Sequence, residues 1–318
     1  MSDFAYFVGA DYKYIPELCA LLNSLDYVGN LFDVYVIGMH LPTAFTEQFD
    51  KVKYRIIYLN ISEDEIHSSR GISEVACRKR YWYAGYLGST KGYKAICILD
   101  ADLIFNRDPW QFFEIAEKTG FVLGVTKEQN KVYDDEHHKV YSECSPEGTF
   151  LYPPDFWNDM DMCNCPIFID PKIWGDAFVK SWLIFANQGF KAPDMDAMNL
   201  CLLKAGSHDR TIKLPGLQWL GTNEQHLKTY TKATIRRDGK LWTENGLEIF
   251  SFHGQFYHEK WRKTQLENRK GCIASRLNGS EKSYGDAVGA LDVLTGVFNK
   301  MLDYKIQIEK RDYRHENH

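Results

Sequence analysis

The stretch Lys94–Phe105, KAICILDADLIF, decides the fold class of this chain. Its five consecutive apolar residues, Ala95 to Leu99, are typical of a strand buried on both faces of a parallel sheet. Two carboxylates follow the strand directly, at Asp100 and Asp102. Because open α/β sheets bind ligands outside the carboxyl ends of their strands, the stretch predicts both a doubly wound sheet and the position of its site.

Apolar runs of strand length alternate with amphipathic stretches of helix length on both sides of this stretch. The order predicts β-α-β units with right-handed crossovers, and so an α/β fold with a mixed, mostly parallel sheet flanked by helices. The predicted strands are Phe4–Gly9, Asp33–Gly38, Tyr54–Leu59, Lys94–Leu99, Gly120–Val125 and Pro166–Asp170. The predicted helices are Pro16 to about Leu25, Ser73–Leu87, Trp174–Asn187, one after Asp194–Asp196, and Ser283 to about Gln307.

Three further segments define the expected domain organisation. We expect a main domain over residues 1–265 and a small helical extension over 266–318, whose apolar face packs on the domain or pairs with a second copy in a homodimer. Residues 127–162 are polar, aromatic and proline-bearing, which predicts a long insertion acting as a lid, or a plain surface excursion. The turn dipeptides Asp238-Gly239 and Asn245-Gly246 predict antiparallel hairpin structure within residues 233–252.

Composition and charge exclude several classes of protein. A chain of 318 residues with 44% hydrophobic residues is neither disordered nor fibrous. Its net charge of −5 provides no global positive field for nucleic acid or an anionic membrane. No apolar run approaches the ~20 residues of a membrane span. The N-terminus carries an acid at Asp3 and no basic region, so we expect a soluble, cytoplasmic protein without a secretion signal.

The cysteine pattern agrees with a reducing compartment. Most of the eight Cys lie inside apolar stretches, where a reduced thiol behaves as a small hydrophobic group. Cys144, Cys163 and Cys165 form an alternative zinc cluster, but no C-x-x-C pair accompanies them.

Polar residues at strand ends are the first candidates for chemistry. Asp100 and Asp102 offer two oxygen ligands that suit Mg²⁺ or Mn²⁺; alternatively they are an N-cap and a turn residue before Pro109. Asp11 follows YFVGA, where a carboxylate accepts hydrogen bonds from a nucleobase or ribose, or caps a helix. His253 follows the apolar run Glu248–Phe252, although a lone His is more often structural.

Two basic clusters are the candidates for holding phosphate. The first is Arg78, Lys79 and Arg80 in the second predicted helix, and the other is Lys260 with Arg262 beyond the hairpin region. Either cluster pairs with phosphate or is ordinary solvated surface.

Five segments, in order, resemble glycosyltransferase family 8, a GT-A fold family that includes glycogenin and bacterial lipopolysaccharide galactosyltransferases. They are FVGADYKYIPELCALLNSL, RYWYAGYL with ICILDADLIFNRDPWQFF, NCPIFIDPKIW, PDMDAMNLCLL and FHGQFYHEKW, and they span about residues 1–265. The resemblance implies a GT-A domain that transfers a hexose from a UDP-sugar to an acceptor with retention of anomeric configuration. The implied acceptor is a carbohydrate, a lipid-linked glycan or a protein.

The resemblance also implies a role for each matching residue. Asp100, Asp102 and His253 would ligate Mn²⁺ or Mg²⁺, and Asp11 would contact the uridine. Arg80 would hold the donor, and Lys260 would neutralise the diphosphate. Asn164 and Asp194 would hold the sugar, with Asp196 close to the reacting centre.

Two departures from the family pattern bear on these roles. Met195 stands where the family has Gln between the two aspartates, which removes an amide beside the sugar. His253 and Lys260 are seven apart with no Pro before Trp261, so Arg262 and His258 are alternatives for the role of Lys260.

Two other functions remain as alternatives. One is a metal-dependent nucleotidyltransferase, although YFVGADYKY has a single Gly where such enzymes carry a glycine-rich loop. The other is an inactive sugar-nucleotide or glycan-binding module, which Met195 favours and the retained Asp100, Asp102 and His253 oppose.

Overall fold

The computed structural model describes two compact units of the chain. The described residues are 2–11, 14, 18, 21–22, 24–25, 28–39, 41, 56–60, 72–126, 162–187, 194–219, 222–223, 229–230, 233–235, 240–243 and 246–253. Unit 1 comprises residues 1–12, 31–100 and 110–214. Unit 2 comprises residues 13–30, 101–109 and 215–318.

Unit 1 is an α/β unit built on a seven-stranded sheet. Its strands are β1 (Phe4–Asp11), β2 (Asp33–Met39), β3 (Ile56–Asn60), β4 (Ala95–Asp100), β6 (Val122–Thr126), β7 (Met162–Ile169) and β8 (Thr211–Leu214), and β5 (Leu103–Phe105) belongs to unit 2. The helices of unit 1 are α1 (Ile72–Thr90), α2 (Trp110–Thr119), α3 (Pro171–Asn187) and α4 (Asp194–Lys204).

The sheet is mixed and mostly parallel, as predicted. Its strand order is β3-β2-β1-β4-β7-β6-β8. The pairs β3–β2, β2–β1, β1–β4 and β6–β8 are parallel, whereas β7 is antiparallel to both of its neighbours. The chain therefore winds outward from β1 in two directions, first to β2 and then to β4, as in doubly wound folds.

Helix α1 packs on β1, β2 and β4, and α3 crosses α1 in an antiparallel direction. Gly85 of α1 lies against Gly175 of α3, and Tyr81 packs on Phe178 with ring centroids 5.8 Å apart. The two glycines let the helix backbones approach closely because neither carries a Cβ. The core beneath them combines apolar residues of β1, β4 and β7 with those of α3 and α4.

A buried polar network ties β2 to the chain that leads into β4. The Tyr93 hydroxyl donates a 2.7 Å hydrogen bond to Oδ2 of Asp33. The Tyr35 hydroxyl lies 2.8 Å from that of Tyr93, and it donates because the single proton of Tyr93 is directed at Asp33. Three buried polar side chains are thus satisfied by one another, which avoids the cost of leaving a polar group unpaired.

Unit 2 contains short β pairs. These are β13 (Ser251–His253) with β5, β9 (Thr222–Asn223) with β10 (Thr229–Tyr230), and β11 (Ala233–Ile235) with β12 (Leu241–Thr243), all antiparallel, together with α5 (Gly216–Trp219). The β11–β12 pair confirms the predicted hairpin structure. Gly246, with φ 82°, adopts the left-handed conformation expected of the Asn-Gly turn dipeptide.

Several predicted elements differ from those observed. The strand predicted to begin at Pro166 begins at Met162, which the prediction placed in the insertion. Helix α2 and strand β8 were not predicted: α2 buries only Phe113 and Ala116, and β8 is a four-residue edge strand with only Leu214 buried. Short elements with so few buried positions show only weak hydrophobic periodicity in the sequence.

Some predictions concern residues outside the described ranges. These are the 127–161 part of the insertion, the extension over 266–318 with its Ser283–Gln307 helix, and Lys260 with its neighbours. Among the described helices, none combines the length and apolar character that a membrane crossing requires.

Candidate functional site

The edge of the sheet where β1 and β4 end, called here the carboxyl edge, carries two of the predicted site residues. The two strands are parallel neighbours, with Gly9 in register with Asp100. Asp11 is the last residue of β1, and Asp100 is the last residue of β4. Along the chain, β1 is followed by β2, which lies on one side of this pair in the sheet, and the next strand of the sheet after β4 is β6, which lies on the other side. Such a switch point is where open α/β sheets bind their ligands.

The reversed direction of β7 adds Asn164 to the same edge. Ile98 of β4 pairs with Ile167, and Met162 at the start of β7 pairs with Thr126 at the end of β6. The beginning of β7 therefore lies beside the end of β4. Asn164, the third residue of β7, is at the level of the carboxyl edge because β7 runs antiparallel to β4. In a strand parallel to β4 it would lie at the other edge.

Topology also brings the start of α4 toward the carboxyl edge. Helix α4 leads into β8, whose first residue, Thr211, pairs with Val122 at the start of β6. Because β6 runs parallel to β4, that pairing lies at the opposite, amino edge. Helix α4 thus runs from the carboxyl edge toward the amino edge, and its first turn carries Asp194 and Asp196.

Arg80 forms an ion pair with Asp100 inside unit 1. Nη2 of Arg80 contacts Oδ1 of Asp100; the Arg80 side chain is 1% exposed and that of Asp100 is 23% exposed. The same Nη2 donates a 3.3 Å hydrogen bond to the Tyr81 hydroxyl. A guanidinium stays protonated even when it is buried, so the paired carboxylate offsets the desolvation cost of burying its charge.

Of the two alternatives for the cluster Arg78, Lys79 and Arg80, ordinary solvated surface is wrong for Arg78 and Arg80. Arg78 and Arg80 are buried, and Nζ of Lys79 lies 4.6 Å from the ring centroid of Trp182. Arg80 is in line with Ala84 and Gly88, at i+4 and i+8 on the buried face of α1. That periodicity was the available signal that Arg80 points inward and needs an acidic partner.

Unit 2 carries Asp102 and His253 on adjacent pieces of backbone. Asp102 directly precedes β5 and is partly exposed. His253 ends β13 and pairs with Leu103, the residue after Asp102. Cα atoms in such antiparallel pairs are about 4.5–5.5 Å apart.

The donor set suits a hard divalent cation. Among the described side chains, no three His, Cys, Asp or Glu converge into a metal-binding group. The side chain of Asp100 is partly exposed, as is Asp102. The carboxylate oxygens of Asp100 in unit 1 and, separately, of Asp102 in unit 2 are ligands of the kind that Mn²⁺ and Mg²⁺ prefer.

The roles of these residues stay predictions. For Asp11, Asn164, Asp194, Asp196 and His253 the structure describes the backbone position, and Lys260, His258 and Arg262 lie outside the described residues. Among the described cysteines, Cys97 and Cys201 are buried and take part in no disulfide. Burial raises the pKa of the Cys201 thiol to about 12, which keeps it protonated and unreactive at neutral pH.

Comparison with known proteins bears on the fold. Neither protein families nor curated proteins yielded a match to this chain. The solved galactosyltransferase LgtC, in complex with donor and acceptor sugar analogues, is similar over 84% of this chain and 95% of its own, with 12% identity and a TM-score of 0.51. The chain has the GT-A glycosyltransferase fold.

Two further solved glycosyltransferases are similar over smaller shares of their own length. The bifunctional enzyme WbbM matches 83% of this chain at 14% identity and a TM-score of 0.47. GlyE of Streptococcus pneumoniae matches 66% at 16% identity and a TM-score of 0.39. This chain spans about half the length of each, 48% of WbbM and 44% of GlyE.

Proposed function

We propose that this chain is a metal-dependent glycosyltransferase that moves a hexose from a UDP-sugar to an acceptor hydroxyl with retention of anomeric configuration. The observation that carries the proposal is the carboxyl edge of the sheet. There, on a GT-A fold, Asp11 and Asp100 end the two strands at the switch point, beside the start of β7 with Asn164. The similar LgtC was solved with donor and acceptor sugar analogues.

The nucleoside half of the donor is assigned to the end of β1. The Asp11 carboxylate accepts hydrogen bonds from the uracil N–H or from ribose hydroxyls. Gly9, two residues earlier, has no side chain, which lets a ligand approach the backbone closely. The sugar is assigned to Asn164 and Asp194, whose amide and carboxylate groups bond its hydroxyls.

The diphosphate is assigned to Asp100, Asp102 and His253 through a divalent cation. When bound, Mn²⁺ or Mg²⁺ neutralises the two phosphates and polarises the leaving oxygen as a Lewis acid. The protein's part is to supply two carboxylates and an imidazole as ligands. Lys260 is proposed to add a second positive charge at the diphosphate.

In the reaction, the bond between the anomeric carbon and the UDP oxygen breaks, and a bond to the acceptor oxygen forms. UDP leaves with the electron pair of the broken bond, and its departing phosphate oxygen takes the proton that the acceptor hydroxyl loses. Positive charge develops on the sugar, so carboxylates at Asp194 and Asp196 stabilise the transition state more than the ground state. Met195 offers no amide there, so this stabilisation is assigned to the flanking aspartates.

Thermal-shift titration of the full chain tests the proposal. UDP with Mn²⁺ is expected to raise the melting temperature, whereas UDP with a chelator is not. Stabilisation by several nucleoside triphosphates would indicate a nucleotidyltransferase instead. Metal-independent stabilisation by glycans would indicate a binding module. A donor screen with the common UDP-sugars and product identification then measures transfer, and absence of transfer with every donor and glycan acceptor would count against the enzyme.

A further inference from the structure

The ion pair between Arg80 and Asp100 separates two possible roles for Arg80. A donor-binding residue must reach the ligand, yet the Arg80 side chain is 1% exposed and its Nη2 already contacts Asp100 and the Tyr81 hydroxyl. Its guanidinium also lies 5.1 Å from the centroid of the Tyr81 ring. These contacts hold Arg80 inside unit 1, on the helix that packs against β1 and β4.

The pairing has a direct consequence for Asp100. An aspartate side chain on its own samples several rotamers, and fixing it costs conformational entropy at the moment a ligand binds. The charged hydrogen bond from the buried Arg80 on α1 restricts the rotamers of Asp100 before any ligand binds. Helix α1 in turn is held by its crossing with α3 at Gly85 and Gly175. The Arg80 guanidinium, which donates the hydrogen bond, therefore lies on a rigid element.

We infer that Arg80 is a positioning residue that holds the Asp100 carboxylate at the end of β4 in the orientation that binds the divalent cation. The inference rests on the proposed function, and it replaces the donor-contact role that the family resemblance implies for Arg80. Removing a residue that orients a ligating carboxylate typically lowers metal affinity 10–100-fold. The same order of effect is expected here.

Mn²⁺ binding to the full-length protein tests the inference without any turnover. Free Mn²⁺ is followed by electron paramagnetic resonance during titration of wild type, Arg80→Met and Arg80→Lys, both without nucleotide and with saturating UDP. Arg80→Met is expected to bind Mn²⁺ at least about tenfold more weakly than wild type. Arg80→Lys keeps the charge but not the guanidinium geometry, so it should recover only part of the affinity.

The matched control is Lys79→Met, which removes a positive charge from the adjacent position of α1. Nζ of Lys79 lies over the rings of Trp82 and Trp182, 5.1 and 4.6 Å from their centroids. Its loss should leave Mn²⁺ affinity within twofold of wild type. A drop equal to that of Arg80→Met would assign the effect to net charge and overturn the inference.

Steady-state kinetics distinguish the two roles. A positioning role predicts weaker Mn²⁺ binding that excess Mn²⁺ partly restores. If instead Arg80→Met binds Mn²⁺ like wild type and only raises the KM for the UDP-sugar, Arg80 contacts the donor; the inference is then wrong while the proposed function stands. If wild type binds Mn²⁺ in neither condition, the metal part of the proposed function fails, and the inference fails with it.

Folding of the variants is checked by melting curves. Removing Arg80 leaves Asp100 without this partner, so Arg80→Met is expected to lower the melting temperature, and Arg80→Met/Asp100→Asn to recover part of it. Should Arg80→Met not fold, Arg80→Lys decides the matter. If Arg80→Lys binds Mn²⁺ at least threefold more weakly than wild type, the inference is supported. If it binds Mn²⁺ with wild-type affinity, the inference is overturned.

Discussion

At the residue scale, Asp102 tests metal dependence most directly. It directly precedes β5, beside the residue that pairs with His253, and it is partly exposed. Asp102→Asn keeps the size of the side chain but removes the charge, so the cation loses a ligand. We expect turnover to be abolished while the melting temperature changes little, because partly exposed side chains contribute little to stability.

Calorimetry with UDP, with Mn²⁺ and with a chelator, measures this expectation. Asp209→Asn is the control, since Asp209 is an exposed acid that contacts His208 at 2.8 Å. It should change neither UDP binding nor turnover. Equal UDP affinity of wild type with Mn²⁺ and with the chelator would contradict metal dependence.

Asp196 tests whether the start of α4 takes part in the reaction. If the carboxylate acts only in the transition state, Asp196→Ala should lower kcat by roughly two orders of magnitude or more with a much smaller change in UDP affinity. If Asp196 only supports the helix N-terminus, the expected loss is ~1 kcal/mol of stability with normal turnover.

Single-turnover rates and melting curves of the same protein decide between these roles for Asp196. The control is Asp176→Ala on α3, where the side chain is exposed. It removes an acid from a helix without touching the carboxyl edge. An Asp196→Ala protein that melts early and reacts normally would show that the acid is structural.

At the scale of elements, the crossing of α1 and α3 holds Arg80 in place. A Cβ built on Gly85 would overlap the carbonyl oxygen of Gly175, and a Cβ on Gly175 would lie 2.8 Å from the carbonyl oxygen of Gly85. The Ser89 hydroxyl lies 2.7 Å from the carbonyl oxygen of Pro171 at the same crossing. The backbones therefore meet where neither helix has a side chain.

Gly85→Ala is expected to destabilise unit 1 although Ala is the better helix former. The helix propensity gain is at most ~1 kcal/mol. Overpacking against a backbone carbonyl costs about 1–3 kcal/mol because the neighbouring helix must shift. Chemical denaturation measures the net change in unfolding free energy. Thr90→Ala, at the exposed end of α1, is the control and should change it little; stabilisation by Gly85→Ala would contradict the close approach.

At the scale of the whole molecule, we expect the Tyr35–Tyr93–Asp33 network to make the unfolding free energy depend on pH in the alkaline range. Burial is the largest cause that raises the pKa of Tyr35 and of Tyr93 above their usual value of 10.0. The hydrogen bonds of Tyr93 to Tyr35 and Asp33 raise its pKa further, whereas the bond to Tyr93 partly lowers that of Tyr35. Above about pH 10 the unfolded chain loses these protons while the folded protein keeps them. The unfolding free energy should therefore fall as pH rises from about 10 toward the folded pKa values.

Urea denaturation of wild type and Tyr35→Phe/Tyr93→Phe between pH 8 and 11 checks this expectation. The double variant removes both titrating hydroxyls, so its unfolding free energy should decline less steeply above pH 10. At pH 8 it should already be lower than that of wild type, since Asp33 loses a hydrogen-bond donor in a buried position. Equal slopes above pH 10 would show that the network does not govern alkaline stability.

The main strands, and the acids that end two of them, were predictable because their signals are local. The apolar run Ala95–Leu99, the acids that follow it and the periodicity of α1 depend on residues close in sequence. The same holds for Asp11 after β1. Elements with few buried positions, α2 and β8, gave no comparable signal.

Strand direction and side-chain pairing were decided only by the tertiary structure. The antiparallel course of β7 puts Asn164 beside the end of β4, and a period-two pattern is the same for either direction. The pairing of Arg80 with Asp100 joins residues twenty apart through the packing of α1 on the sheet. Sequence by itself determined which residues are apolar, acidic or basic and in what order; contacts between distant segments determined which of them meet, because their energies depend on packing and burial that no local pattern encodes.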